Sequence, residues 1–118
     1  MIAEPRRTGL LGELRAAQYL RQKGYNIWSA NYRTKVGEID LVASVGETLC
    51  FIEVKTRRQG GYFPPAEAVD YKKEENVKSA AASYMSVAKV KMPFRFDIIE
   101  VVLIDDDNYR IRHLENAF

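Results

Sequence analysis

The chain holds one cysteine, one histidine and one tryptophan among 118 residues, and it carries almost no net charge. A lone Cys50 excludes an internal disulfide framework. A lone His113 leaves no His-rich zinc site, and no Ser-His triad unless it serves one alone. Apolar runs stop at strand length, so no membrane partner is expected, and neither a signal-like leader nor a lipidation motif is found. These absences suit a reducing cytoplasm. Eighteen Lys and Arg against sixteen Asp and Glu leave +2, too little for composition alone to mark a nucleic-acid binder. Any such argument has to come from local clustering. Repeats are lacking, and the loose stretches are the first few residues and Arg58 to Pro65. The length suits one domain over 1–118 with residues 1–7 flexible, burying about two thirds of its unfolded surface.

What is present is a hydrophobic period that switches several times. From Thr8 to Lys23, Leu10, Glu13, Leu14, Ala17, Leu20 and Gly24 recur at spacings of three and four, predicting an amphipathic helix with Thr8 as N-cap and Gly24 as stop. Tyr25–Tyr32, Glu38–Val45 and Thr48–Arg57 are rich in β-branched and aromatic residues, and Gly46-Glu47 makes a tight turn between the last two. Past a Gly- and Pro-containing loop, Val69, Lys73, Val77, Ala80, Ala81, Tyr84 and Ala88 predict a second helix over Ala66–Ala88. Arg95–Ile104, an Asp105-Asp106-Asp107-Asn108 turn and Tyr109–Leu114 close the chain as a hairpin. The order is αβββαββ, an α/β (α+β) fold. The helical connection from third to fourth strand is long enough to set those two parallel.

Charge interrupts two of the most apolar strands. Asp40 follows Ile39 and precedes Leu41-Val42, while Glu53-Val54-Lys55 closes the run Leu49-Cys50-Phe51-Ile52. Strands like these sit mid-sheet, where an unpaired charge costs several kcal/mol. Two carboxylates about 5 Å apart repel by roughly 3 kcal/mol at an effective dielectric near 20. A divalent cation converts that repulsion into binding, with Lys55 on the same strand face as Glu53. Phosphodiester hydrolysis has a use for this set, because Mg²⁺ held by carboxylates activates water and clamps a phosphate. A buried ion-pair network is the competing account.

The runs Gly12-Glu13, Gly37-Glu38-Ile39-Asp40-Leu41, Phe51-Ile52-Glu53-Val54-Lys55-Thr56-Arg57, Arg95-Phe96-Asp97 and Asn116-Ala117-Phe118 resemble the YraN family of small bacterial proteins, from about Gly12 to Phe118. That family is similar to archaeal Holliday-junction resolvases and the restriction-endonuclease-like PD-(D/E)XK group. The resemblance implies a mixed five-stranded sheet flanked by helices and a nuclease-type site using Mg²⁺ or Mn²⁺. Asp40 and Glu53 would then be direct ligands, the Val54 backbone carbonyl a third, and Lys55 the group that orients the attacking water or neutralises charge on the phosphate. An early helical Glu reaches the metal in resolvase-like members, so Glu13 becomes a further ligand, directly or through water. A first-turns Glu favoured by the helix dipole is the alternative. The resemblance also implies DNA, branched or otherwise structured, as substrate, and a homodimer that cuts two strands with two sites.

Around this core, Glu38 shares a strand face with Asp40, either supporting it or facing water. Lys73 lies on the inner stripe of the second helix, able to pack its stem and extend its ammonium toward the carboxylates. The YraN pattern has Lys-Gln followed by another basic residue here; this chain has Lys73-Glu74 and Asn76. Arg33, Lys35, Arg57 and Arg58 cluster at one rim as phosphate contacts, or as charges that discourage strand addition. Tyr62 and Phe63 either stack on a base or cover a core edge. Cys50 reads as a small core residue and Asp105–Asp107 as a hairpin turn without the Gly and distal Glu of a Ca²⁺ loop, while Asp97 either pairs with Arg95 or supports the metal from behind, the structural reading being preferred. The expected function is metal-dependent DNA hydrolysis, with a cleavage-deficient nucleic-acid-binding or assembly module on the same fold as alternative.

Overall fold

The computed structural model describes residues 4–61 and 70–118, with side chains from Arg6 onward. In chain order these form α1 (Glu4–Gln22), β1 (Asn26–Arg33), β2 (Glu38–Val45), β3 (Thr48–Arg58), α2 (Tyr71–Ala88), β4 (Phe94–Leu103) and β5 (Tyr109–Leu114). The sequence order αβββαββ is the observed one. The strands lie side by side as β1-β2-β3-β4-β5 in one mixed sheet. All neighbours are antiparallel except β3 and β4, which run parallel because α2 carries the chain across between them. Among the described residues no helix is long and apolar enough to cross a membrane.

Strand alternation splits the core in two. Leu41, Ala43, Cys50, Ile52, Ile99, Val101 and Leu103 pack against Ala16, Ala17 and Leu20 of α1. Val42, Leu49, Phe51 and Phe96 pack with Ile39 against Val77, Ala80 and Ala81 of α2. β3 is therefore covered on both faces, and Leu49 through Glu53 are all buried, as a central strand requires.

The face α1 turns to the sheet differs from the expected stripe. Leu10 and Leu14 are 44% and 50% exposed, whereas Thr8, Gly12, Ala16 and Leu20, spaced by four, are buried. Small residues win this face because the helix lies close on β3: a Cβ at Gly12 would stand 1.8 Å from Thr56 Oγ1. Thr8 is not the N-cap, since the helix begins at Glu4, and its hydroxyl accepts from Arg58 Nε at 3.1 Å. The stop is as expected, with Tyr25 N–H bonded to the Leu20 carbonyl and Gly24 N–H to that of Arg21.

α2 starts later than the apolar period suggested, within the described residues. Asp70 is its N-cap, extended at φ −124° and accepting from Lys73 N–H, while residues 66–69 lie outside the described residues. The helix ends without glycine, as Lys89 takes the left-handed conformation at φ 54° and its N–H reaches the Met85 and Ser86 carbonyls. Ala88, expected on the inner stripe, is exposed.

Asp97 is structural, as expected, and better satisfied than its pairing with Arg95 alone. It is wholly buried, accepts from Arg95 Nε at 3.0 Å and from Asn116 N–H at 2.9 Å, and meets His113 Nε2 at 2.8 Å. Cys50 is a buried core residue, and its thiol is pushed up to about 11 by burial first and the nearby Asp97 charge second. Asp105 caps its turn by accepting from the Asp107 and Asn108 amides, both at 2.8 Å.

Candidate active site

β2 turns over at Asp40. A regular strand puts residues i and i+2 on one face, yet Ile39 packs in the α2 core and Leu41 in the α1 core. Pairing with β3 runs from Val45↔Thr48 to Leu41↔Ile52 and stops there. Across from Asp40 on β1, between the pairs Ala30↔Leu41 and Tyr32↔Ile39, Asn31 adopts φ 55°, a conformation Asn tolerates better than most side chains. Where the ladder stops, the Asp40 carboxylate replaces it: Val54 N–H donates to Asp40 Oδ2 at 2.8 Å. An extended residue presents its N–H and carbonyl on the same edge, so the Val54 carbonyl faces the same gap. Gly37 positions the second wall, because a Cβ there would stand 2.7 Å from the Asn76 carbonyl oxygen of α2.

The gap is a small cavity lined by Glu38, Ile39, Asp40, Ile52, Glu53, Lys73 and Val77. Glu53 is 6% exposed, and its Oε1 is enclosed. The Lys73 ammonium stands 2.6 Å from that oxygen as a charge partner. Asp40 is pushed up to about 6, first by burial and further by Glu13 and Glu53, against the Val54 amide and the Lys73 charge. Burial works against the Lys73 ammonium, but Glu53 and then Asp40 carry its pKa above the ordinary lysine value. Glu13 is also raised, by burial first and by Glu38, with the Asn31 side chain opposing.

The sequence-predicted residues sort clearly. Asp40 and Glu53 share the cavity with Lys73, whose ammonium was expected to extend toward these carboxylates. Lys55 lies on the α2 face of β3, since Val54 and Thr56 on either side turn toward α1, and it is half-buried beyond the cavity lining. Glu13, on α1, lies near enough to Asp40 to act on it electrostatically. Glu38 lines the cavity mouth and pairs with Arg33 at 3.3 Å, both side chains exposed. Lys35 is exposed and Arg57 half-buried. Arg58 departs from that rim: it faces α1, donates to Thr8 and lies 3.9 Å from Asp106. Tyr62 and Phe63 lie outside the described residues. Asn31 was missed, because the signal that betrays it is a backbone angle rather than a residue pattern.

These donors suit a hard divalent cation. Asp40, Glu53 and the Val54 carbonyl offer only oxygen, and the enclosed Glu53 Oε1 has the Lys73 ammonium as its charge partner. Among the described residues, no three His, Cys, Asp or Glu side chains gather into a ligand cluster. Two carboxylates and a carbonyl are a sparse set, of the kind Mg²⁺ accepts because it binds through one or two carboxylates and retains waters.

Residues 12–101 match the Uncharacterised protein family UPF0102, which is the YraN family. The chain belongs to that family. A UPF0102 protein of Alkaliphilus oremlandii is 43% identical over 116 residues, covering 96% of this chain and 98% of the relative. One of Syntrophomonas wolfei is 43% identical over 114 residues, covering 96% and 98%. One of Porphyromonas gingivalis is 42% identical over 111 residues, covering 93% and 82%. The resemblance read from the residues around Asp40 and Glu53 is thus borne out at the level of family.

Proposed function

We propose that this protein is a divalent-metal-dependent nuclease acting on DNA, as the PD-(D/E)XK resemblance implies. The observation that carries the reading is the pair Asp40 and Glu53 in one cavity, with the enclosed Glu53 oxygen held by the Lys73 ammonium at 2.6 Å, a place for positive charge that a metal would take over. Asp40, Glu53 and the Val54 carbonyl would hold Mg²⁺ or Mn²⁺. The chemistry a cation supplies when held there is activation of water and neutralisation of charge on the scissile phosphate. Val54 N–H fixes the Asp40 carboxylate in place. Glu13 and Glu38 add negative charge that favours a cation. Lys55, facing the same side of β3 as Glu53, stabilises charge that grows on the phosphate. Water's oxygen bonds to phosphorus, the bond to the leaving sugar oxygen breaks, and one proton passes to solvent while the leaving oxygen gains another.

The Lys73–Glu53 ion pair favours a second reading, a DNA-binding module in which the ammonium permanently replaces the metal. Titration with Mg²⁺ and Mn²⁺ against linear, single-stranded, flap and four-way-junction DNA separates them. Nuclease action requires metal-dependent product, lost in Asp40→Asn and Glu53→Gln variants that still bind DNA. Binding with no product from any substrate would favour the module.

A further inference from the structure

The register places a second set of cations on the face that carries Glu53. Ile99, Val101 and Leu103 of β4 pack in the α1 core, where Ile111 of β5 also packs. Arg15 lies over Tyr109 and Tyr19 edges onto His113, so both flanking residues of β5 also face α1. The intervening Glu100, Val102, Arg110 and Arg112 therefore face the other way. Lys55 and Arg57 face that way on β3. The pairings Lys55↔Glu100↔Arg112 and Arg57↔Val102↔Arg110 align them in two rows across three strands. The rows hold four cations and one carboxylate, in a chain with only a small positive excess. Arg110 and Arg112 are exposed.

We propose that these rows are a track for the phosphate backbone of duplex DNA, leading over β3–β5 to the carboxylates. The inference rests on the nuclease reading only for what lies at the end of the track. Along each strand the cations stand two residues apart, roughly 7 Å, and the β3 and β5 columns are roughly 10 Å apart. Val102 is buried and Lys55 and Arg57 are half-buried, so Arg110 and Arg112 present the most exposed charge, and the regular spacing suits a repeating polyanion more than a single bound anion. Lys55 belongs both to the track and to the site, so a backbone bound along the rows enters beside Glu53. The edge strand β5 thereby acquires a binding function that its sequence, Tyr109–Leu114, did not advertise.

The test is fluorescence anisotropy of a labelled duplex and its single strand in excess chelator across a salt series. The double variant Arg110→Gln/Arg112→Gln should bind all duplexes more weakly, with a log–log salt slope shallower by about two, near 0.9 per lost phosphate contact. Arg110→Lys/Arg112→Lys should restore the slope. Arg21→Gln/Lys91→Gln, which removes equal charge from exposed sites elsewhere, should leave it unchanged. Equal slopes in the two Gln doubles would overturn the track, as would absence of duplex binding by the wild type or binding of single strand alone. Metal-dependent cleavage with unchanged slopes rejects the track and spares the nuclease. Changed slopes without cleavage under any metal do the reverse.

Discussion

Substituting Gly12 by Ala tests the seat on which the site is built. A Cβ at Gly12 would meet Thr56 Oγ1 at 1.8 Å, Cγ2 at 2.5 Å and Cβ at 2.7 Å. Rotating the Thr56 side chain moves the first two atoms but not the third, which the β3 backbone fixes. The helix must therefore move. Overpacking of this kind costs about 1–3 kcal/mol, sometimes more. The helical preference for Ala over Gly offsets about 0.5–1 kcal/mol of that. A net loss of about 1–2 kcal/mol should lower Tm by about 4–10 °C in a chain of this size. Gly9 is the internal control: it lies in the same helix with no atom within 4 Å of its added Cβ, so Gly9→Ala should gain the propensity term and raise Tm. Urea and thermal melts followed by circular dichroism measure both. Thr56→Gly should recover part of the Gly12→Ala loss in a double-mutant cycle. Because Glu13 follows Gly12 directly, the shift should also weaken any rise in Tm on adding Mg²⁺. A Gly12→Ala protein as stable as Gly9→Ala would refute the close seating of α1 on β3.

Other outcomes follow from single side chains. Burial raises Asp97, but His113, the Asn116 amide and Arg95 outweigh it and hold the carboxylate below its ordinary value. Its contribution to stability is therefore complete above the unfolded value near 3.8 and lost as pH falls through the lower folded value. Urea midpoints between pH 5 and 2 should drop in wild type more than in Asp97→Asn, which at neutral pH should cost about 1.5–3 kcal/mol by weakening charged hydrogen bonds while Arg95 keeps Glu115 and Tyr25; parallel pH profiles would contradict this. Cys50, buried and raised to about 11, should resist iodoacetamide at pH 8 in the native protein and react on unfolding, so rapid native labelling would count against the core placement. Lys73→Met should enlarge the rise in Tm produced by Mg²⁺, because the ammonium competes for Glu53. An unchanged or smaller rise would show that Lys73 does not occupy the cation position.

The strands were legible because alternation and β-branched runs report burial directly, and the αβββαββ order followed from them. Asp40 and Glu53 were legible because charge in such runs is costly. The seat of α1 was misread because size, not hydrophobicity, decides which face approaches a strand this closely. Leu10 and Leu14 gave the stronger hydrophobic signal, while Gly12 and Ala16 fit the space. Arg58 was grouped with Arg57 by adjacency, although neighbouring residues on a strand face opposite ways, and that same alternation hides Arg110 and Arg112 until β5 is paired with β4. Lys73 and Lys55 were indistinguishable as site lysines in one dimension. Only the placement of α2 beside β2 decides which ammonium meets Glu53.

Two aspartates in this one sheet give the strongest internal argument for what Asp40 is for. Asp97 and Asp40 both lose water on folding, and burial pushes both carboxylates toward protonation. The fold surrounds Asp97 with Arg95, His113 and the Asn116 amide, and its pKa ends below the ordinary value. Asp40 receives the Val54 amide and a distant share of Lys73, is set beside Glu13 and Glu53, and ends near 6. A sheet selected for stability alone had the means to neutralise a buried aspartate, since it did so one strand beyond β3. At Asp40 it gives up ladder pairing, turns the strand over and adds like charge instead. That arrangement costs the protein stability by itself and would favour a bound cation, which is the trade the proposed metal site calls for and a core does not.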